Sequence, residues 1–186
     1  MNNNVLRKTM IQKRKTLTKK QRNLAAFKAS LFLPKLLSSL PKNAKIALFL
    51  DGFGEIPTSL IIKFCQNHQF SIYLPITKKN KPLLFAPFLH PKTPLKKHRF
   101  GMYEPLTCPQ ISANKLDAII CPLVLVDKKG NRIGMGGGFY DRTFAKNPNV
   151  LKIGYAYDFQ LVEDLKTQVW DKKIDLLITD KNIYRF

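Results

Sequence analysis

The chain has 186 residues, 45% of them hydrophobic, which is enough apolar surface for one ordinary core and excludes a disordered chain. Its 32 Lys and Arg against 12 Asp and Glu give a net charge of +20, a field that attracts polyanions without choosing among nucleic acid, nucleotide phosphates and a poly-acidic ligand. No apolar run reaches the roughly 20 residues that cross a bilayer, and Met1-Asn2-Asn3-Asn4 leads into basic sequence without the apolar core of a signal peptide.

A cytoplasmic location with no membrane partner is therefore expected. Cys65, Cys108 and Cys121 agree with it, being odd in number and matching no zinc spacing. Cys65 and Cys121 sit in apolar segments and read as core fillers.

Taken in chain order, residues 5–17 set Leu6, Met10, Ile11 and Leu17 at helical spacing among lysines and arginines. Thr18-Lys19-Lys20-Gln21 has the spacing of a capping box, so a second helix starts there, with Leu24, Phe27 and Leu31 expected on its apolar face. Residues 1–40 thus read as a basic helical segment packed on the rest. Residues 45–50 form an apolar run that breaks at Asp51-Gly52-Phe53-Gly54, a strand entering a loop. Pro57 suits the first turn of a helix through Ile61, Ile62 and Phe64, and residues 71–74 read as a strand stopped at Pro75. Strand, helix and strand in succession predict a βαβ unit.

Residues 76–110, rich in proline, read as an excursion from the sheet, with a strand at 83–88. Residues 118–126, nearly all apolar, predict one central strand covered on both faces. A helix from about Phe139, a strand at 151–157, a helix at 161–165 and a strand at 174–179 complete the chain. The expected fold is α/β: a single domain over residues 1–186, a three-layer α/β/α sandwich with a mainly parallel, Rossmann-like central sheet.

The chemistry concentrates between that central strand and the helix after it. Arg132-Ile133-Gly134-Met135-Gly136-Gly137-Gly138-Phe139-Tyr140-Asp141 joins a strand to a helix start. Glycines let successive backbone N–H groups close on phosphate oxygens, and the helix start adds unpaired donors. Arg132 supplies a forked cation and Asp141 a hard oxygen ligand for Mg²⁺. The stretch is neither a G-x-x-x-x-G-K-[ST] loop nor a dinucleotide fingerprint at the first βα turn. An unliganded glycine-rich hairpin is the bland alternative.

The order Asp127, Gly130-Asn131-Arg132-Ile133-Gly134-Met135-Gly136-Gly137-Gly138-Phe139-Tyr140-Asp141 resembles the signature of the 5-formyltetrahydrofolate cyclo-ligase family, also called 5,10-methenyltetrahydrofolate synthetases. Leu6-Arg7, residues 49–55, Tyr73-Leu74-Pro75, Glu104-Pro105, Gly154-Tyr155-Ala156, Gln160 and Trp170-Asp171 follow in the family's order.

The resemblance implies an enzyme that uses ATP and Mg²⁺ to convert 5-formyltetrahydrofolate into 5,10-methenyltetrahydrofolate, ADP and phosphate. It implies that Asn3, Arg7 and Arg132, Ile133, Gly134, Met135, Gly136, Gly137, Gly138, Phe139 and Tyr140 hold ATP. Arg132 and Asp141 would be catalytic. Arg7, Leu50, Glu55, Phe100, Met135, Gly136, Gly137, Gly138 and Phe139 would meet the folate, and Asp141 and Asp171 the metal. Two positions depart from the pattern: Asn3 stands where many relatives carry lysine, with Lys8 or Arg14 as candidate substitutes, and Gly137 where some carry lysine.

The basic clusters at Lys78, Lys79, Lys81 and at Lys96, Lys97, His98, Arg99 either receive a polyglutamate tail or are solvated surface. A monomer is expected. Two other classes stay open at this point, a nucleic-acid-binding module and an ATP-dependent kinase or ligase for another heterocycle. The first is disfavoured because the cations are dispersed and no RNA-recognition aromatics or zinc finger accompany them.

Overall fold

Alternate residues of the apolar runs face opposite ways, and this sorts the interior into two cores on either side of one sheet. The computed structural model describes residues 3–37, 39–97, 102–106 and 109–186. Its helices are α1 (Asn3–Lys15), α2 (Lys19–Ser30), α3 (Leu33–Leu37), α4 (Ser59–Asn67) and α5 (Phe139–Lys146). Its strands are β1 (Lys45–Ala47), β2 (Ser71–Ile76), β3 (Leu84–Pro87), β4 (Leu95–Lys97), β5 (Tyr103–Pro105), β6 (Ile111–Ser112), β7 (Ala118–Cys121), β8 (Leu125–Asp127), β9 (Arg132–Ile133), β10 (Leu151–Tyr155), β11 (Leu161–Val162), β12 (Leu176–Ile178) and β13 (Ile183–Arg185).

The main sheet runs β13-β12-β10-β7-β1-β2-β3-β6. Its five central strands, β12 through β2, are parallel, and antiparallel pairs close both edges. Ile46, Ala118, Ile120, Ile153, Tyr155, Leu176 and Ile178 face α2, α3 and α4 in one core. Ala47, Ile119, Cys121 and Leu177 face α5 through Phe144 in the other. That is the expected three-layer α/β sandwich, and Cys65 and Cys121 are buried fillers within it. A third cluster joins Leu6, Met10 and Ile11 of α1 to Val124, Leu125, Ile133 and Leu165 of the smaller sheet β11-β8-β9.

Several local expectations hold for local reasons. Thr18 caps α2, accepting from the Gln21 amide while the Gln21 side chain accepts from Thr18 N–H. The β1-α4-β2 unit is parallel, with Ile46 opposite Ile72. Residues 76–110 leave the parallel sheet as expected, through β3 and the β4–β5 hairpin.

Four expectations need correction. The buried face of α2 is Ala25, Ala26 and Ala29, whereas Leu24, Phe27 and Leu31 are more than half exposed. Short alanines let α2 approach the α4 layer closely, and that contact, rather than residue hydrophobicity, sets the rotation of the helix. Second, β2 continues through Pro75, which pairs opposite Phe85. Tyr73 turns its carbonyl toward β1, where Leu48 N–H donates to it; Pro75, two residues on, faces the same side beyond the end of β1, so its missing N–H costs no ladder bond.

Third, the run 118–126 is two strands in two sheets. Pro122 has no N–H to continue the ladder, and the Leu123 carbonyl is taken by the side chains of Arg14 and Gln160. Fourth, residues 161–165 are not helical: a short 3₁₀ turn, Asp158–Gln160, leads into β11, which pairs with β8.

Candidate active site

β1 and β7 lie side by side and parallel, with the chain continuing from β1 toward β2 on one flank and from β7 toward β10 on the other. Ligands of open α/β sheets bind where the strand order reverses, beyond the carboxyl ends of the strands. Two loops leave that point, residues 48–58 after β1 and the stretch from Pro122 through Gly138 after β7.

The second loop is built on Asp127, which is fully buried. Its Oδ1 accepts from the amides of Lys129 and Asn131, each at 2.9 Å, and its Oδ2 accepts from Asn131 Nδ2 at 2.8 Å and from the Leu165 amide at 3.2 Å. Gly130 completes the β8–β9 turn at φ +80°, where a Cβ would come within 2.8 Å of the Ile174 carbonyl. The hairpin thereby delivers Arg132 inward, beneath the glycines.

There the Arg132 guanidinium is nearly fully buried, donates to Asp141 Oδ1 at 2.9 Å and lies over the rings of Phe144 and Tyr140. Its Nε has no hydrogen-bond partner among the described residues. Arg132 is therefore a clamp on Asp141 under the loop rather than a cation displayed above it. Ile133 is buried behind it in the third cluster.

Arg7 reaches the loop from α1, its Nε donating to the Gly134 carbonyl at 2.9 Å and one terminal nitrogen to Asn4 at 2.6 Å. Asn3 donates to the Lys166 carbonyl at 2.6 Å. Of the two candidate substitutes for the missing lysine, Arg14 is ruled out because it is buried two helical turns away, facing Glu55, while Lys8 is exposed.

Met135, Gly136 and Gly137 are exposed, and Gly136 at φ +97° has open space where a Cβ would stand. Gly138 caps α5 in the left-handed conformation at φ +62°. Arg142 folds back across Phe139 and donates to the Gly137 carbonyl at 2.8 Å. In front of the glycines lies a concavity of about 530 Å³ lined by Gly136, Gly137, Gly138, Asp141, Trp170 and Lys172, with Arg142 and Ala145 at its side.

Asp141 and Asp171 are linked here through Lys172. The Lys172 amide donates to Asp141 Oδ1 at 3.3 Å, which brings residue 171 to the start of α5. Asp171 lies in a turn, not on a helix, with its Oδ2 accepting from the Gln168 amide at 2.8 Å. One oxygen of each carboxylate, Asp141 Oδ2 and Asp171 Oδ1, accepts no hydrogen bond from the described residues. Hard oxygens of this kind suit Mg²⁺, which takes one or two carboxylates beside phosphate and water. No cluster of three or more His, Cys, Asp or Glu side chains suited to a metal occurs among the described residues.

Glu55 stands in the loop after β1. Its Oε2 accepts from the Gly52 amide at 3.0 Å, and its Oε1 faces Arg14 at 3.8 Å. Burial is the main reason its carboxyl is pushed up to about 7, with Asp51 adding to the rise and Arg14 and the Gly52 amide opposing it. Glu55 also acts on Tyr140 of α5, whose phenol is raised chiefly by its own burial. Leu50 is half-buried against the first core. Phe100, His98, Arg99 and Cys108 lie outside the described residues, and Lys78, Lys79, Lys81, Lys96 and Lys97 are exposed.

The family model of the 5-formyltetrahydrofolate cyclo-ligase family matches residues 1–180. The chain belongs to this family. A 5-formyltetrahydrofolate cyclo-ligase of Haemophilus influenzae is 42% identical over 140 residues, covering 72% of this chain and 74% of the relative. That of Escherichia coli K12 is 34% identical over 147 residues, covering 76% and 80%. The 5,10-methenyltetrahydrofolate synthetase of Aquifex aeolicus superimposes with a TM-score of 0.82 at 32% identity, covering 100% of this chain and 93% of that one. The Mycoplasma pneumoniae synthetase gives 0.80 at 26% identity, covering 97% and 100%.

The cyclo-ligase assignment makes the chain a ligase of folate one-carbon metabolism. No helix is long and apolar enough to cross a membrane among the described residues. Sequence reasoning missed the roles of Asp127 as anchor and of Arg142 and Lys172 as lining. For the last two, a signal existed: each directly follows an aspartate already singled out.

Proposed function

We propose that this cyclo-ligase couples ATP to closure of 5-formyltetrahydrofolate into 5,10-methenyltetrahydrofolate, acting in the cytoplasm as a monomer of one domain. The observation that carries the reading is the concavity between the glycines and Trp170, with Asp141 in its lining, formed by the loop that leaves β7 at the switch point of the sheet.

A formyl oxygen is a poor leaving group. Transfer of the γ-phosphoryl group of ATP onto that oxygen releases ADP and leaves the formyl carbon electrophilic. The N10 lone pair then forms the new C–N bond, N10 loses its proton, and the C–O bond breaks with departure of phosphate. Such a reaction asks the protein mainly for position and charge compensation.

The amides of residues 134–138, of which Met135, Gly136 and Gly137 are exposed, and the start of α5 would take the triphosphate, with Arg7 closing over Gly134 and Asn3 adding a neutral donor where charge would be stronger. Arg132 would hold Asp141 in register from below, with Ile133 and Tyr140 packing the loop. Asp141 and Asp171 would hold Mg²⁺, which when bound neutralises phosphate charge. Glu55 would accept from the N–H edge of the pterin, and Leu50, Met135 and Phe139 would also meet the folate. The lysines at 78–81 and 96–97 offer charge for a polyglutamate tail.

The test is purified protein with 5-formyltetrahydrofolate, ATP and Mg²⁺, read by the absorbance of the methenyl product. Product that requires both ATP and the divalent ion is expected. Folded protein that forms none would overturn the assignment.

A further inference from the structure

Arg14 is an unusual tenant of a protein interior. It is 1% exposed and stands among the largest fully buried side chains. Its Nη1 donates to the Leu123 carbonyl at 3.1 Å, but Nε and Nη2 have no hydrogen-bond partner among the described residues. A residue needed only to fill that space would be apolar, since a buried cation with donors unmatched opposes folding.

What the charge does is visible on Glu55, its ion-pair partner. The two elements are locked together: Gly54, at φ +76°, lies so close to α1 that a Cβ would come 2.9 Å from the Arg14 carbonyl carbon and oxygen. One Glu55 oxygen is held by the Gly52 amide at 3.0 Å. The other faces Arg14 Nη1 at 3.8 Å, close enough for charge attraction yet too far for a hydrogen bond. Oε1 is thus compensated but not covered, and it remains able to accept from a ligand.

We propose that Arg14 is a positioning residue for the folate end of the site, holding Glu55 charged and aimed, with Oε1 open to the N–H edge of the substrate heterocycle. This rests on the reading of Glu55 as a substrate contact. The groups acting on Glu55 come from two elements, Arg14 of α1 and, in its own loop, Asp51 and the Gly52 amide, while Glu55 itself acts on Tyr140 of α5. Arg14 is the cation among them. Burial and Asp51 already push Glu55 up to about 7, so loss of the Arg14 charge leaves a carboxyl that is protonated at neutral pH and accepts poorly.

The experiment is the KM for 5-formyltetrahydrofolate at saturating ATP, from about pH 6 to about pH 9, in native protein and in Arg14→Gln, Arg14→Lys and Glu55→Gln. Gln keeps a donor for the Leu123 carbonyl and loses the charge; Lys keeps the charge and loses the fork. In native protein 1/KM should fall on the acid side with a midpoint near 7, and Glu55→Gln should abolish that limb and raise KM. Arg14→Gln should move the midpoint up by about one unit or more, raising KM about fivefold or more at neutral pH, recovering in alkali and changing kcat far less. Arg14→Lys should leave the midpoint where it was.

A folded Arg14→Gln protein with the native midpoint overturns the proposal. So does an Arg14→Lys midpoint displaced by one unit or more, and this arm decides the matter even where Arg14→Gln does not fold. A Glu55→Gln protein with native KM at every pH would instead sink the substrate-contact reading, so the two failures are distinct.

Discussion

Replacing Asp127 with alanine removes a fully buried side chain that ties together the β8–β9 turn and the segment after β11, which exposed Lys128–Glu163 and Lys129–Asp164 ion pairs also join. Four hydrogen bonds go with it, at 2.8, 2.9, 2.9 and 3.2 Å. Lys129 is exposed and Asn131 half-buried, so water can reach their three donors, and each bond costs about 1 kcal/mol. Leu165 is buried, so its amide is stranded at about 2 kcal/mol. Relief of the buried carboxylate's own desolvation offsets part of this sum, leaving a loss of about 4 kcal/mol.

For a chain of this length that corresponds to a fall in Tm of about 8–16 °C. Urea unfolding followed by far-UV circular dichroism measures it directly. Asparagine is the informative control: it keeps Oδ1 but turns an NH₂ toward Asn131 Nδ2 and the Leu165 amide, donor against donor, so it should lose nearly as much as alanine. A loss below about 1 kcal/mol with an unchanged denaturant slope would refute the account of Asp127 as the anchor of the loop.

Asp141→Ala is expected to abolish turnover while circular dichroism stays native; turnover at the wild-type level would reject its metal role. Trp170 is the single tryptophan of the chain and lines the concavity before the glycines, so ATP should change its emission saturably. Fluorescence unmoved by saturating nucleotide would mean that the base and phosphates lie elsewhere. Glu55 has a folded-state pKa raised from 4.5 to about 7, so its favourable contribution is complete below 4.5 and is lost as the pH rises through 7. Glu55→Gln should therefore gain stability over native protein between about pH 5 and about pH 8, by at most about 3 kcal/mol in urea titrations. A difference that is flat with pH would contradict the burial of Glu55 as its cause.

Features settled by a few neighbouring residues were legible in the sequence. The capping box at Thr18 needs only Gln21, and the positive-φ cap at Gly138 needs only glycine, so both helix starts stood where expected. Burial on both faces of β7 followed from its unbroken apolar run. The glycine loop and its two aspartates were legible as a motif.

Orientation and partnership were not. Leu24, Phe27 and Leu31 promised the buried face of α2, yet three alanines took it, because helix rotation is chosen by the closeness of the layer beneath. The apolar run after Ala118 could not announce a change of sheet, since that depends on Arg14 and Gln160, distant in the chain, capturing the Leu123 carbonyl.

By itself, then, the sequence determined the three-layer order of elements and the loop where phosphate chemistry would gather, because periodicity, caps and glycine act over a few residues. Only the tertiary structure decided which cations do what. Arg7 reaches over the loop, Arg132 lies beneath it on Asp141, and Arg14 is buried against Glu55. In sequence these are three similar charges; their burial and partners, set by contacts more than a hundred residues apart for Arg7 and Arg14, make them different chemical groups.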